Sequence, residues 1–163
     1  MTISAADPDL VWGVHHGALL QRSHDGGTSW EPVGPAPAGI IDLAASATDP
    51  ETLYAATERG LMASTDGGAS WSAAHPSEEP ASVVEATPDG GILSFILGQG
   101  LVASTEPTLA WETVGTWAED GVPLHLALDP NDPTRLVVAT TESRLLISAN
   151  GGESWTLIAG PDA

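Results

Sequence analysis

Short apolar runs, each closed by polar turn residues, recur along the whole chain. In the second quarter they are Ile40 to Ala45, Thr52 to Thr57, Leu61 to Ser64 and Trp71 to Ala74. In the last quarter they are Leu124 to Leu128, Arg135 to Thr140, Leu145 to Ser148 and Trp155 to Ile158. The runs are short, rich in Val, Ile, Leu and Thr, and bounded by Gly, Pro and Asp, which predicts β-strands joined by tight turns. No stretch keeps a helical period over three turns, so the expected fold class is all-β.

The runs are organised by an internal repeat. Ser23-His24-Asp25-Gly26-Gly27-Thr28-Ser29-Trp30 aligns with Ser64-Thr65-Asp66-Gly67-Gly68-Ala69-Ser70-Trp71, with Ser104-Thr105-Glu106-Pro107-Thr108-Leu109-Ala110-Trp111, and with Ser148-Ala149-Asn150-Gly151-Gly152-Glu153-Ser154-Trp155. The four segments begin 41, 40 and 44 residues apart. An Asp-Pro or Pro-Asp turn precedes each of them, at Asp7-Pro8, Asp49-Pro50, Pro88-Asp89 and Asp129-Pro130. Four strands per unit of about forty residues is the pattern of a propeller blade, and predicts four four-stranded antiparallel blades over approximately 1–34, 39–75, 80–115 and 122–159 of one repeat domain.

Each segment falls at the turn between a blade's third and fourth strands. There the acid accepts hydrogen bonds from backbone N–H groups, and the glycine pair supplies the positive φ that other residues resist. The tryptophan opens the outer strand and folds back over the turn; truncating such a buried aromatic costs about 3–5 kcal/mol. The fourth copy carries Asn150 for the acid, and the third carries Pro107 and no glycine, which predicts a different hairpin there.

Composition narrows the function. Hydrophobic residues make up 42% of 163 residues, enough for a core, and the absence of cysteine excludes disulfides, thiolate metal sites and cysteine nucleophiles. No apolar run is long enough for a membrane span. The first residues lack the basic and apolar parts of a secretion signal, so the expected location is cytoplasmic, or secreted if a leader has been removed. Twenty-two acidic residues against 4 basic ones, none of them lysine, give a net charge of −18. Such a surface repels phosphate backbones and anionic lipid, so neither nucleic acid nor membrane is expected as a partner. Compositional bias explains the acidity as well as a cationic partner does.

The pattern Ser-x-Asp-x-Gly-x-x-Trp, complete at Ser23 to Trp30 and Ser64 to Trp71, resembles the Asp-box or BNR (bacterial neuraminidase) repeat. The resemblance covers essentially the whole chain. It implies the propeller superfamily of sialidases, xyloglucan-degrading glycosidases, sortilin-type receptors and photosystem II assembly factors. It also implies a structural role for the box residues Ser23, Asp25, Gly26, Trp30, Ser64, Asp66, Gly67, Trp71, Ser104, Trp111, Ser148, Asn150, Gly151 and Trp155. Sialidases resemble one another in an arginine triad, a tyrosine nucleophile paired with a glutamate, and an aspartate acid/base. Here the arginines are Arg22, Arg59, Arg135 and Arg144 and the sole tyrosine is Tyr54, which aligns with Trp12 and Val137 in second strands and is expected in the core. A hydrolase of neutral glycans would need two facing carboxylates.

In a propeller the Asp-Pro turns and boxes share one face, and the strand-2–3 loops and blade links share the other. That second face is expected to collect His15, His16, Glu58, Arg59, Gln99, Glu142 and Arg144, with His75, Glu78, Glu79, Trp117, Glu119 and Asp120 from the links. Neighbouring strand residues point to opposite sides, so His15 and His16 would share a metal ion only in a loop; no metal or cofactor is expected. Arg59 is expected to pair with Glu58 or Glu142. Asp42, Glu85 and His125 sit on innermost strands and are the expected contacts for a channel-bound ligand. The candidate ligand-binding set is therefore His15, His16, Asp42, Arg59, Glu85, His125 and Arg144, with no catalytic residue assigned.

Four blades leave two unpaired ends, which favours self-association. Two chains completing an eight-bladed ring are expected ahead of a closed four-bladed ring or part of a longer propeller. The function expected is a non-enzymatic binding or scaffold module with a protein or glycan ligand. The alternatives are a carbohydrate-active enzyme or its remnant, which requires an acid pair such as Asp42 and Glu85, and an engineered or evolutionary propeller fragment.

Overall fold

The structure is a computed structural model and describes residues 1–16, 19–115, 117 and 121–161. Blade 1 contains β1 (Thr2–Ile3), β2 (Val11–His15), β3 (Leu19–Ser23) and β4 (Glu31–Pro35). Blade 2 contains β5 (Ile40–Ala45), β6 (Leu53–Thr57), β7 (Gly60–Ser64) and β8 (Ser72–Ala73). Blade 3 contains β9 (Ala81–Ala86), β10 (Gly91–Ile96), β11 (Gly100–Thr105) and β12 (Glu112–Thr113). Blade 4 contains β13 (Pro123–Asp129), β14 (Asp132–Thr140), β15 (Leu145–Ser148) and β16 (Thr156–Ala159). In each blade the four strands pair antiparallel in chain order. Among the described residues no helix is long and apolar enough to cross a membrane.

The inner strands β1, β5, β9 and β13 lie side by side, each touching the next, and the blades pack face to face outward from them. Strand β6 shows why simple alternation is muted in the sequence: all five of its residues, Leu53 to Thr57, are buried. Successive side chains point to opposite faces, and a neighbouring blade covers each face. Leu53 and Ala55 join Leu10, Trp12 and Leu20 of blade 1 in one apolar cluster. Tyr54 and Ala56 join Val84, Ile92 and Val102 of blade 3 in another. A third cluster, around Leu93, Leu101 and Leu136, seals blade 3 to blade 4. The core is thus three seams between blades, with no single centre.

The first inner strand is short, two residues against six or seven in the others. Thr2 nevertheless reaches blade 2, where its Oγ1 accepts the Ala45 N–H at 3.2 Å.

Candidate functional site

The turn chemistry of the boxes sets the geometry of one face. In box 1, Ser23 Oγ donates to Asp25 Oδ1 at 2.7 Å and accepts the Gly27 N–H at 2.8 Å. Asp25 accepts the Ser29 N–H at 2.8 Å and its hydroxyl at 2.6 Å. Box 2 repeats these bonds with Ser64, Asp66, Gly68 and Ser70. The donors converging on Asp25 and Asp66, led by the serine hydroxyls, hold both carboxyls down to about 2. In box 4, Asn150 substitutes without loss of the frame. Its Oδ1 accepts the Ser154 N–H at 3.0 Å and the Ser148 hydroxyl at 2.8 Å, while its Nδ2 donates to Ser154 Oγ at 3.0 Å. Boxes 1, 2 and 4 are tied to the chain near the start of the second strand of their blades: the N–H groups of Gly26, Gly67 and Gly151 donate to the carbonyls of Asp9, Glu51 and Thr134.

The third box folds differently. Leu109 takes φ +45°, and its N–H donates to the Thr105 carbonyl at 3.1 Å. Glu106 holds the acid's position but turns out of its own box into blade 2. There its carboxylate accepts Ser46 Oγ at 2.7 Å, Thr48 Oγ1 at 2.5 Å and the Tyr54 hydroxyl at 2.8 Å. Ser104 Oγ, which would serve that box, is buried without a partner among the described residues. Trp111 also changes role: its Nε1 donates to the Ala74 carbonyl of blade 2 at 2.7 Å, whereas Trp30 and Trp71 bond within their own boxes, to Gly27 and Gly68. This seam contact involving Glu106 was invisible in the sequence, where the only hint was an acid with one extra methylene at a box position.

Two of the channel candidates come together. Asp42 on β5 accepts the N–H groups of Leu43 at 2.9 Å and of Val84 at 3.1 Å, the latter across to β9. Glu85 follows Val84 in the chain. Burial, reinforced by the charge of Asp42, raises its carboxyl from 4.5 to about 7. His125 stands apart and exposed: it alternates along β13 with Leu126 and Leu128, which pack toward blade 3, so it lies on the opposite side of the sheet.

On the loop face, His15 ends β2 and His16 turns the chain at φ +51°, which brings the two rings to 4.0 Å, edge to face. Among the described residues, no group of three or more His, Cys, Asp or Glu could hold a metal ion. The N–H of Arg59 donates to Thr57 Oγ1 at 3.1 Å. Among the described residues no ion pair joins Arg59 to Glu58 or Glu142, the pairing expected from sequence. His75 also departs from expectation. It is buried, stacked edge-on to Trp111 at 5.4 Å, and its Nδ1 accepts the Ser77 N–H at 3.0 Å; burial lowers its pKa. Glu119 and Asp120 lie outside the described residues. The loop-face candidates that do converge are Glu142 and Arg144, which share a hollow of ≈ 460 Å³ with Phe95, Leu97, Trp117 and Val122. Trp117 is wedged between Phe95 at 5.1 Å and Trp155 at 5.4 Å.

The family model described as BNR/Asp-box repeat matches residues 21–32, the first box and the strand leading into it. Solved structures match the whole architecture. A GH74 enzyme from Niastella koreensis is 14% identical, with a TM-score of 0.63 over 98% of this chain and 38% of its own. YCF48 from Cyanidioschyzon merolae is 24% identical, with a TM-score of 0.61 over 81% of this chain and 41% of its own. An ancestral GH74 enzyme is 17% identical, with a TM-score of 0.70 over 94% of this chain and 23% of its own. The chain folds as a β-propeller and carries a BNR/Asp-box repeat at residues 21–32. It spans less than half the length of each of these three structures. No curated protein matches it in sequence.

Among the described residues the sialidase constellation is not assembled. Tyr54 does pair with a glutamate, but the pair lies in the seam between blades 2 and 3, behind the box face. Burial and the Glu106 carboxylate both push the phenol's pKa upward, away from a nucleophile's need. Arg22 is committed to Glu31 at 2.8 Å and Glu51 at 3.7 Å, on the box side of blades 1 and 2. Arg59 and Arg144 belong to the opposite, loop side.

Proposed function

We propose that this Asp-box propeller is a non-enzymatic scaffold that associates with itself through its outer blades and receives a protein or glycan ligand on its loop face. The observation that carries the reading is the distribution of exposed apolar side chains. Met1, Ile3, Leu19 and Trp30 belong to blade 1, and Leu124, Leu145 and Ile158 to blade 4. Among the described residues Ile41 is the only large apolar side chain exposed on an interior blade. Apolar surface gathered at two ends of a repeat array is the pattern of a face that expects another blade. The hollow between Phe95, Trp117, Glu142 and Arg144 is lined by two aromatic rings and two charged groups, a composition suited to a peptide segment or a sugar.

Light scattering on a sizing column at low and high salt tests the reading. A mass of twice the 16.6 kDa chain is expected, with association strengthened by salt because screening relieves the repulsion between chains of charge −18. A mass of 16.6 kDa at every salt and concentration would remove the self-association.

A second reading, a carbohydrate-active enzyme, draws on Asp42 and Glu85: a carboxylate that accepts two backbone N–H groups stands beside a carboxyl raised to about 7, an arrangement suited to acid–base chemistry. It requires turnover of a glycan that disappears in Glu85→Gln. Turnover unchanged by that substitution would sink it.

A further inference from the structure

The seams between blades 1 and 2 and between blades 3 and 4 obey one rule, and the two outer faces hold the unmatched halves of it. Three residues before each box serine stands a leucine: Leu20, Leu61, Leu101 and Leu145. Leu20 of blade 1 fills the space where a Cβ on Gly68, the second glycine of the next box, would stand. Leu101 of blade 3 does the same over Gly152 of blade 4. Both leucines are sealed, at 0% and 3% exposure, whereas Leu145, the same position in blade 4, is 39% exposed. The matching socket is open at the other end. A Cβ on Gly27 would meet only its own box's Trp30, at 3.7 Å, and no leucine.

A second pair follows the same logic. Three residues after each box tryptophan stand Val33, Ala74, Val114 and Ile158. Val33 packs in one cluster with Trp71 of the following blade, and Val114 in another with Trp155. Ala74 meets Trp111 through its carbonyl. Ile158, on the outer face of blade 4, is 50% exposed, and Trp30, on the outer face of blade 1, is 38% exposed.

We propose that blade 4 of one chain docks on blade 1 of a second copy in the register of the internal seams, with Leu145 seated over Gly27 and Ile158 against Trp30 of that copy. The inference rests on the self-association reading above and adds the surfaces and their register. None of the four positions carries a charge, so docking removes apolar surface from water without stranding an ion. Each copy offers one knob face and one socket face. Two copies related by a two-fold axis therefore make two identical seams and leave no blade face open.

The test compares the wild-type chain with Leu145→Asp, Ile158→Asp and the control Ile41→Asp by light scattering across a concentration series. The control is equally exposed, at 53%, but lies on β5 of an interior blade. Circular dichroism checks that each variant keeps the wild-type strand signal. The expected result is a dimer for wild type and Ile41→Asp, and a dissociation constant raised at least about 100-fold in the other two. A dimer that survives both Leu145→Asp and Ile158→Asp overturns the docking while the self-association reading stands. A wild-type monomer overturns both. Polymers that lengthen with concentration overturn the two-copy closure.

Discussion

The Tyr54 hydroxyl donates to Glu106 Oε1 at 2.8 Å across the seam between blades 2 and 3, joining residues 52 positions apart. Glu106 occupies the acid position of the third box, yet it serves the neighbouring blade and binds Ser46 and Thr48 with its other oxygen. The bond substitutes a side-chain latch for the local turn that the third box lost.

Removing that latch strands three donors at once. Glu106→Ala is expected to lower the unfolding free energy by about 3 kcal/mol, because part-buried hydroxyls lose a charged acceptor. Glu106→Gln, which keeps an acceptor oxygen, should cost less than half as much. Urea unfolding at pH 7 measures both.

Tyr54 is the sole tyrosine, so its ionisation can be followed by ultraviolet titration. Its folded pKa is raised above the unfolded value of about 10. The associated stability is fully present below pH 10 and declines as the pH rises toward the folded value. The phenolate signal should therefore appear together with unfolding in alkali. In Glu106→Gln it should appear at lower pH.

Glu85 gives the opposite test near neutrality. Its folded carboxyl, at about 7, binds a proton that the unfolded chain has released above about 4.5. The folded state is thus penalised progressively as pH rises from about 4.5 to 7, with a ceiling of about 3 kcal/mol. Glu85→Gln should raise stability at pH 8 and leave it nearly unchanged at pH 4.5. Denaturant midpoints at the two pH values decide this.

Asp66 and Asn150 perform the same turn with different charge. Since the Asp66 carboxyl is held at about 2, its contribution is present above the unfolded pKa and lost only as the pH falls toward 2. Asp66→Asn should keep the fold and flatten the acid limb of the stability curve, and Asp66→Ala should lower the melting temperature at neutral pH and by less as the pH falls toward 2. Thermal melts between pH 2 and 7 check both.

Leu20 and Leu145 share a repeat position but not an environment. Leu20→Ala opens a fully buried seam and is expected to cost about 3 kcal/mol. Leu145→Ala, measured at a dilution where the chain is single, should stay within about 0.5 kcal/mol of wild type. Equal losses at the two sites would contradict the seam rule.

What the sequence determined by itself is local. Ser, Asp or Asn, two glycines and Trp at fixed offsets specify a hairpin through bonds that span at most four residues, so the strand runs and three of the four box turns could be read directly. The presence of Asp42, Glu85 and His125 on inner strands was legible for the same reason. Only the tertiary structure decided which of them meet: Asp42 reaches Val84 beside Glu85, while His125 faces away, because alternation along a strand is fixed only when a neighbouring blade covers one side. It also placed His75 in a buried stack and sent Glu106 into blade 2. Above all, four leucines at one repeat position look identical in sequence, and packing alone makes Leu20 a sealed core residue and Leu145 an exposed one. Burial belongs to a pair of blades, and a single repeat encodes only one half of that pair.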